Sequence, residues 1–226
     1  MSNAAPFQDR QIVTVDVVLL TIVERRLSVG LLTREHPPLP GSRALVGGYV
    51  HADEDANTEA TAARVLREKT GLEGFFVEQL ATFSGPHRDP RGWSLSVAYL
   101  ALTPYARLAP ALESGSRFSL SPVDEAVDLP FDHGAILAAA LARLSAKGAY
   151  STLPARLLPE AFTLSELQRA YEIALGAERI DKSSFRRKLN ELDIIEPIAG
   201  KRTDTGGRQA QLYRTRGPMA IFDRRL

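Results

Sequence analysis

The sequence contains no cysteine. That excludes disulfides and thiolate chemistry, and it suits a reducing cytoplasm. It also lacks an apolar run long enough to span a bilayer. The longest, IVTVDVVLLTIV from Ile12, is too short and carries Asp16, so it reads as a buried strand. The first ten residues, MSNAAPFQDR, have no apolar stretch behind a basic start, so no secretory leader is visible. There is no internal repeat and no low-complexity segment. A cytoplasmic protein with no membrane partner is expected.

What is present fits one large domain or two modest ones, with enough apolar residues for a proper core: 226 residues, 44% hydrophobic. The net charge of +1 hides an uneven distribution. Residues 151–226 hold 14 Lys and Arg against 10 Asp and Glu, about +4, while the rest holds 14 against 17, about −3. A basic C-terminal third on an acidic body suggests contact with a polyanion.

The first two-thirds read as mixed α/β. IVTVDVVLLTIV, RLSVGLLT, RALVGGYV, GFFVEQLATFS and WSLSVAYLALT are rich in β-branched and aromatic residues and are separated by Pro, Gly and charge, so they read as strands. One helix is predicted from about Asn57 to Thr70, stopped by Gly71. Another begins near Asp132-His133, with Ile136, Leu137, Ala140, Leu141 and Leu144 on one stripe. Asp132 stands where an N-cap would. AYSTLPARLLP then reads as a connector, and the pattern changes near residue 150. The expected division is 1–150 and 151–226.

The segment GGYVHADEDANTEATAARVLREKTGL, Gly47 to Leu72, resembles the Nudix box, Gly-x5-Glu-x7-Arg-Glu-apolar-x-Glu-Glu-x-Gly-apolar. Arg64, Leu66, Glu68, Gly71 and Leu72 match, as does Gly48 if the loop is two residues longer. Val65 and Lys69 do not match, and Asp53, Glu54 and Asp55 compete for the place of the first glutamate. Positions 65, 68 and 69 share one helix face. In the family that face supplies carboxylates for Mg²⁺, which requires hard oxygen ligands. Val65 offers none, and Lys69 brings a positive charge. The resemblance therefore implies a Nudix αβα sandwich with a mixed sheet, but no resident metal, no required cofactor and little hydrolysis.

A second resemblance is GPHRDPRGW, Gly85 to Trp93, similar to the loop of Nudix proteins that handle ADP-ribose. Arg88 and Arg91 offer planar forks suited to phosphate, and Asp89 could accept from a ribose hydroxyl. With Arg43, Gly47, Gly48, Arg64 and Glu68 they form the expected effector site. Arg34 is a weaker phosphate candidate, and His51 ranks low. His133 is expected to have a structural role.

The C-terminal part reads as a winged helix-turn-helix. FTLSELQRAYEIALG has a capping box at Thr163 and Glu166, a hydrophobic staple of Phe162 and Leu167, and a stop at Gly176. A second helix starts around Asp181 or Ser183. Its Phe185, Leu189 and Leu192 should face the core, leaving Ser183, Ser184, Arg186, Arg187 and Lys188 toward solvent. A hairpin follows, with strands near Ile194–Ile198 and Gln209–Tyr213 and a basic, Gly-rich tip carrying Lys201, Arg202 and Arg208. Charge on both the recognition helix and the wing points to double-stranded DNA.

A degenerate Nudix domain followed by a winged helix resembles the Nudix-related transcriptional regulators of bacterial NAD metabolism. The resemblance implies a homodimeric repressor on a palindromic operator, released by ADP-ribose or a related nucleotide. Two alternatives stay open: a hydrolase in which Glu68 and an acidic-loop residue still hold metal, and a regulator of the same architecture sensing a sugar or sugar phosphate.

Overall fold

The computed structural model describes residues 11–113, 117–205, 208–217 and 219–222, with side chains left aside at 201–205 and 208. Its axis is β1 (Ile12–Val23), the apolar run of the sequence. β1 pairs antiparallel with β2 (Arg26–Thr33) and β3 (Arg43–Tyr49), and parallel with β5 (Gly92–Leu102). The edge strands β4 (Phe76–Asp89) and β6 (Phe118–Pro122) complete a sheet of order β4-β5-β1-β3-β2-β6.

Alternation along β1 builds two cores. Val15, Val17 and Leu19 face the layer of α1 (Thr58–Thr70) and α2 (Tyr105–Glu113). Val18 and Leu20 face α3 (His133–Gly148). All five are fully buried, each stabilising the sandwich by ~1.5–3 kcal/mol. This is the expected αβα sandwich with a mixed sheet. Asp16 falls in the same row as Val18 and Leu20, so it points to the α3 side.

The ends of α1 follow its sequence. Asn57 accepts from the Ala60 amide at 2.9 Å, and Gly71, at φ 71°, returns its N–H to Arg67. Neither α2 nor β6 was expected. Pro110 inside α2 hides a helix from pattern reading, because proline normally breaks one.

Two local expectations need correction. Asp132 precedes α3 but makes no capping bond; its carboxylate is drawn to Arg88 instead. The predicted connector is a buried 3-10 turn, Leu153–Leu157, whose Leu153 and Leu157 join the α3 core together with Ala174. The chain's C-terminal end returns to hold it: Phe222 donates to Tyr150 at 2.7 Å, and Thr152 to Ala220 at 2.9 Å. Its apolar residues Leu153, Pro154, Ala155 and Leu157 are what make burial favourable.

The remainder is α4 (Leu164–Leu175), α5 (Lys182–Leu192) and the hairpin β7 (Ile195–Thr205) and β8 (Arg208–Thr215). Thr163 and Glu166 form the predicted capping box. Phe162, Leu167, Tyr171, Phe185 and Leu189 make a third core. Phe162 also exchanges two backbone bonds with Tyr213, adding a short third strand. The hairpin ladder resumes after a bulge between Pro197 and Arg202 and continues to Thr205 and Arg208, so the strands run well into the segment expected to be the tip.

Candidate functional site

A cavity of about 570 Å³ opens between the ends of β1 and β3, the last turn of α1 and the β4–β5 turn. That is within the usual size of a small-molecule site. Among its buried polar groups is Asp16, 6% exposed. Ser96 donates to Asp16 at 2.6 Å. Nε2 of His133 lies 3.5 Å from the same carboxylate, and Nδ1 accepts from the Leu45 amide at 3.1 Å. Burial works to raise the Asp16 pKa, but His133, Ser96 and Arg88 outweigh it and hold the carboxyl below its ordinary value. Asp16 and His133 are structural members of the site that sequence reading did not place there. The only signal was an aspartate inside an apolar strand.

Arg88 completes this network. Its guanidinium forks onto Asp132 at 2.7 and 2.9 Å, donates to Ser94 at 3.2 Å and lies 3.6 Å from Asp16. Burial opposes its charge, yet Asp132 and Asp16 raise its pKa. The side chain is 8% exposed. Arg88 lines the cavity, but most of its fork is already engaged, unlike the open phosphate fork expected. A bulge explains the inward turn: Pro86, His87 and Arg88 oppose the single Trp93 between the pairs Gly85–Ser94 and Asp89–Gly92.

Asp89 and Arg91 also line the cavity, locked to one another. Asp89 accepts from the Arg91 amide at 2.9 Å and from its guanidinium at 2.6 and 3.0 Å. Burial raises the Asp89 pKa, but Arg91 outweighs it and the net shift is downward. Arg91 keeps a half-exposed guanidinium that bonds the Tyr49 hydroxyl and sits over its ring at 5.6 Å.

The Nudix-like box contributes less to the cavity than expected. Arg64 is not among its lining residues, although Tyr49 and Glu68, which it bonds, are. Its guanidinium donates to Asp55 at 2.7 and 2.8 Å, to the Tyr49 carbonyl at 2.8 Å and to Glu68 at 3.2 Å. It is a clamp that ties the acidic loop to α1, and it singles out Asp55 from the three competing acids. Arg64 holds the Asp55 carboxyl well below the usual range. Arg43 also falls outside the cavity and reaches Ser121 on β6. His51 bonds Glu54 in the exposed loop. Gly47 and Gly48 do line the cavity, and each is there for space. A Cβ on Gly47 would meet Asp16 Oδ1 at 2.2 Å, and one on Gly48 would meet Val65 at 2.9 Å.

Metal does not fit this wall. Val65 is 1% exposed and packed on Gly48, with no oxygen to offer. Glu68 is engaged by Arg64, and Lys69 lines the same wall. Among the described residues no three His, Cys, Asp or Glu side chains converge as a metal site. Arg34, ranked low from sequence, lines the cavity and sits over Phe131 at 4.9 Å.

The second site lies on α5. Phe185 and Leu189 are buried and Leu192 is partly buried, as predicted. Ser183, Ser184, Arg186 and Arg187 are exposed. Lys188 is half-buried rather than fully in solvent. Lys182, not anticipated, is exposed in the first turn. Asp181 caps the helix by accepting from Ser184 at 2.8 Å, and that bond lowers its pKa. At the base of the wing, Arg214 and Arg216 are paired with Glu196 at 2.6 and 3.3 Å. The side chains of Lys201, Arg202 and Arg208 lie outside the described residues.

A sandwich of this topology, with a ligand-sized cavity and a winged helix built onto its C-terminal side, is the architecture of a Nudix-related regulator. Residues 154–215 match the family of NrtR DNA-binding winged helix domains. Over 205 residues the chain is 38% identical to the ADPR-responsive transcriptional repressor NtrR of Acinetobacter baylyi, covering 90% of this chain and 81% of that one. It superimposes on Shewanella oneidensis NrtR complexed with a 27mer DNA at a TM-score of 0.88, with 35% identity, over 96% of this chain and 100% of that one. The isolated NUDIX domain of the Shewanella protein, complexed with ADP-ribose, matches 63% of this chain and 94% of its own, at a TM-score of 0.55 and 34% identity. The chain belongs to the NrtR family of transcriptional regulators.

Proposed function

We propose that this chain is a DNA-binding transcriptional repressor of genes of NAD biosynthesis or salvage, whose sandwich, 1–150, binds ADP-ribose or a related nucleotide and whose winged helix, 151–226, binds operator DNA. The reading rests above all on one juxtaposition: a cavity of ligand size with no cluster of metal-ligating side chains among the described residues, in the same chain as a helix-turn-helix with an exposed basic face. The DNA-bound and ADP-ribose-bound relatives support each half. The protein acts without hydrolysis, without a cofactor and as a cytoplasmic homodimer. A sensor that cut its effector would erase its own signal.

The mechanism is linkage. ADP-ribose favours a geometry in which the two winged helices of a dimer no longer match the operator half-sites, and DNA disfavours ADP-ribose by the same factor. Within the chain, α3 is one element that joins the two, together with the 3-10 turn Leu153–Leu157. α3 starts at the Asp132–His133 end of the cavity, and near its other end Ser145 meets the Leu175 carbonyl of α4 at 3.5 Å.

The test is a duplex selected by the purified protein from a random library, then titrated with ADP-ribose while DNA release and AMP formation are followed together. Release of DNA without AMP is the expected outcome. Appreciable AMP formation in the presence of Mg²⁺ would replace this reading with that of a hydrolase. Release by a sugar phosphate, with none by ADP-ribose, would reassign the effector.

A further inference from the structure

The cations of the cavity wall are not equivalent. Arg88 is neutralised by Asp132 at 2.7 Å, Arg91 by Asp89 at 2.6 Å and Arg117 by Glu35 at 2.8 Å. Arg34 has no carboxylate partner among the described residues; it donates to the carbonyls of Pro38 and His36 at 2.9 and 3.3 Å. The Lys69 side chain makes no hydrogen bond or ion pair among the described residues, although it lines the same cavity. The wall therefore holds two cations with no carboxylate partner among the described residues, Lys69 on α1 and Arg34 just after β2.

We propose that Lys69 is an effector-binding residue, and that the cavity holds a nucleotide diphosphate with the fixed cations Lys69 and Arg34 instead of a divalent metal. The proposal rests on the reading of the cavity as an ADP-ribose-type site. A diphosphate bridge is anionic at neutral pH, and the two cations without a carboxylate partner are free to meet it. A divalent ion has no place beside them. Val65 fills the space over Gly48 with methyl groups, Glu68 is bound to Arg64, and an ammonium on the same helix turn repels a dication. The exchange of metal for lysine has a chemical consequence. A bound Mg²⁺ can polarise water as well as neutralise phosphate, whereas an ammonium supplies charge and hydrogen bonds alone. The diphosphate is recognised and left intact, and recognition becomes independent of Mg²⁺.

Calorimetry on the full chain tests this, with ADP-ribose titrated in EDTA and in Mg²⁺. The unaltered protein should bind with the same affinity in both, within about twofold. Lys69→Gln should weaken binding roughly tenfold or more, as loss of a charge-assisted hydrogen bond does. Lys69 is exposed, so the variant should unfold at the same denaturant midpoint as the parent. Lys69→Glu should bind more weakly than Lys69→Gln in both buffers, because it places a negative charge beside the diphosphate while Val65 and the Arg64-bound Glu68 still leave no site for Mg²⁺. Wild-type binding that collapses in EDTA, or a Lys69→Gln variant with parental affinity, would overturn the proposal while leaving the effector reading intact. No ADP-ribose binding by the unaltered protein in either buffer would overturn the effector reading, and this one with it.

Discussion

Around the cavity, Arg64, Arg88 and Arg91 are bound to carboxylates at 2.6 to 2.8 Å, whereas on α5 Lys182 and Arg186 stand in solvent with no such partner among the described residues. The difference separates two uses of positive charge. A buried guanidinium must be compensated within the fold, and once compensated it fixes geometry instead of attracting a ligand. An exposed one carries little cost and is available to phosphate. Positive charge near a site is therefore a poor guide to ligand contact until its partners are known. Lys69 and Arg34 in the cavity and Lys182 and Arg186 on α5 have no carboxylate partner among the described residues, and we propose them as contacts for an external anion.

Removing a compensated cation should break the fold before it changes recognition. Arg88→Ala leaves Asp16 and Asp132 without their shared counter-ion in a largely buried setting. A loss of about 3 kcal/mol of stability is expected, read as a lower urea midpoint at unchanged slope. A variant with parental stability but weakened ADP-ribose binding would place Arg88 among the ligand groups after all.

A gentler break uses pH. The Asp55 carboxyl is held below its ordinary value of 3.8, chiefly by the hydrogen bonds of Arg64. A depressed carboxylate pKa stabilises the fold fully above the unfolded value, and that contribution is lost as pH falls below about 3.8 through the folded value. Asp16 and Asp89 are shifted the same way, so the whole sandwich should lose stability on the acid side. Asp55→Asn should lower the midpoint at neutral pH and make the acid limb shallower. An acid limb of unchanged steepness would show that the Arg64 clamp contributes no linkage.

Smaller again is Thr163→Ala, which removes the side chain that caps α4. It should cost about 1 kcal/mol. A parental thermal midpoint would mean that burial of Phe162 and Leu167 alone fixes the start of α4.

The elements legible in the sequence are those set by neighbours along the chain. Asn57 and Gly71 bound α1, Thr163 and Glu166 start α4, and Phe185 and Leu189 orient α5, all within a few residues of one another. The Gly-Gly strand end and the frame of the box were legible for the same reason. What escaped depends on partners distant in sequence. Asp16 meets His133 only because β1 alternation aims it at the start of α3. Arg88 turns inward because three residues bulge against one. That Arg64 and Arg43, expected among the effector-binding residues, bond Asp55 and Ser121 could not be read without the fold. The side chain of Asp132 was read as a cap because its competitor Arg88 lies across the sheet.

On α5, where Lys182 and Arg186 have no carboxylate partner among the described residues, substitution of either should cost the least stability. Arg186→Ala, on an exposed face, should move stability by less than about 0.5 kcal/mol. Its effect should appear in DNA binding. If Arg186 meets a phosphate, the slope of log affinity against log salt falls by about 1, and binding weakens alike on operator and unrelated duplexes. Arg187 lies 3.7 Å from Glu191 on the next turn, so Arg187→Ala should lower the slope less. Equal slopes for Arg186→Ala and the parent would remove this face of α5 from the phosphate contacts. A loss confined to the operator would make Arg186 a base-reading residue instead, because phosphate contacts position the protein without selecting sequence.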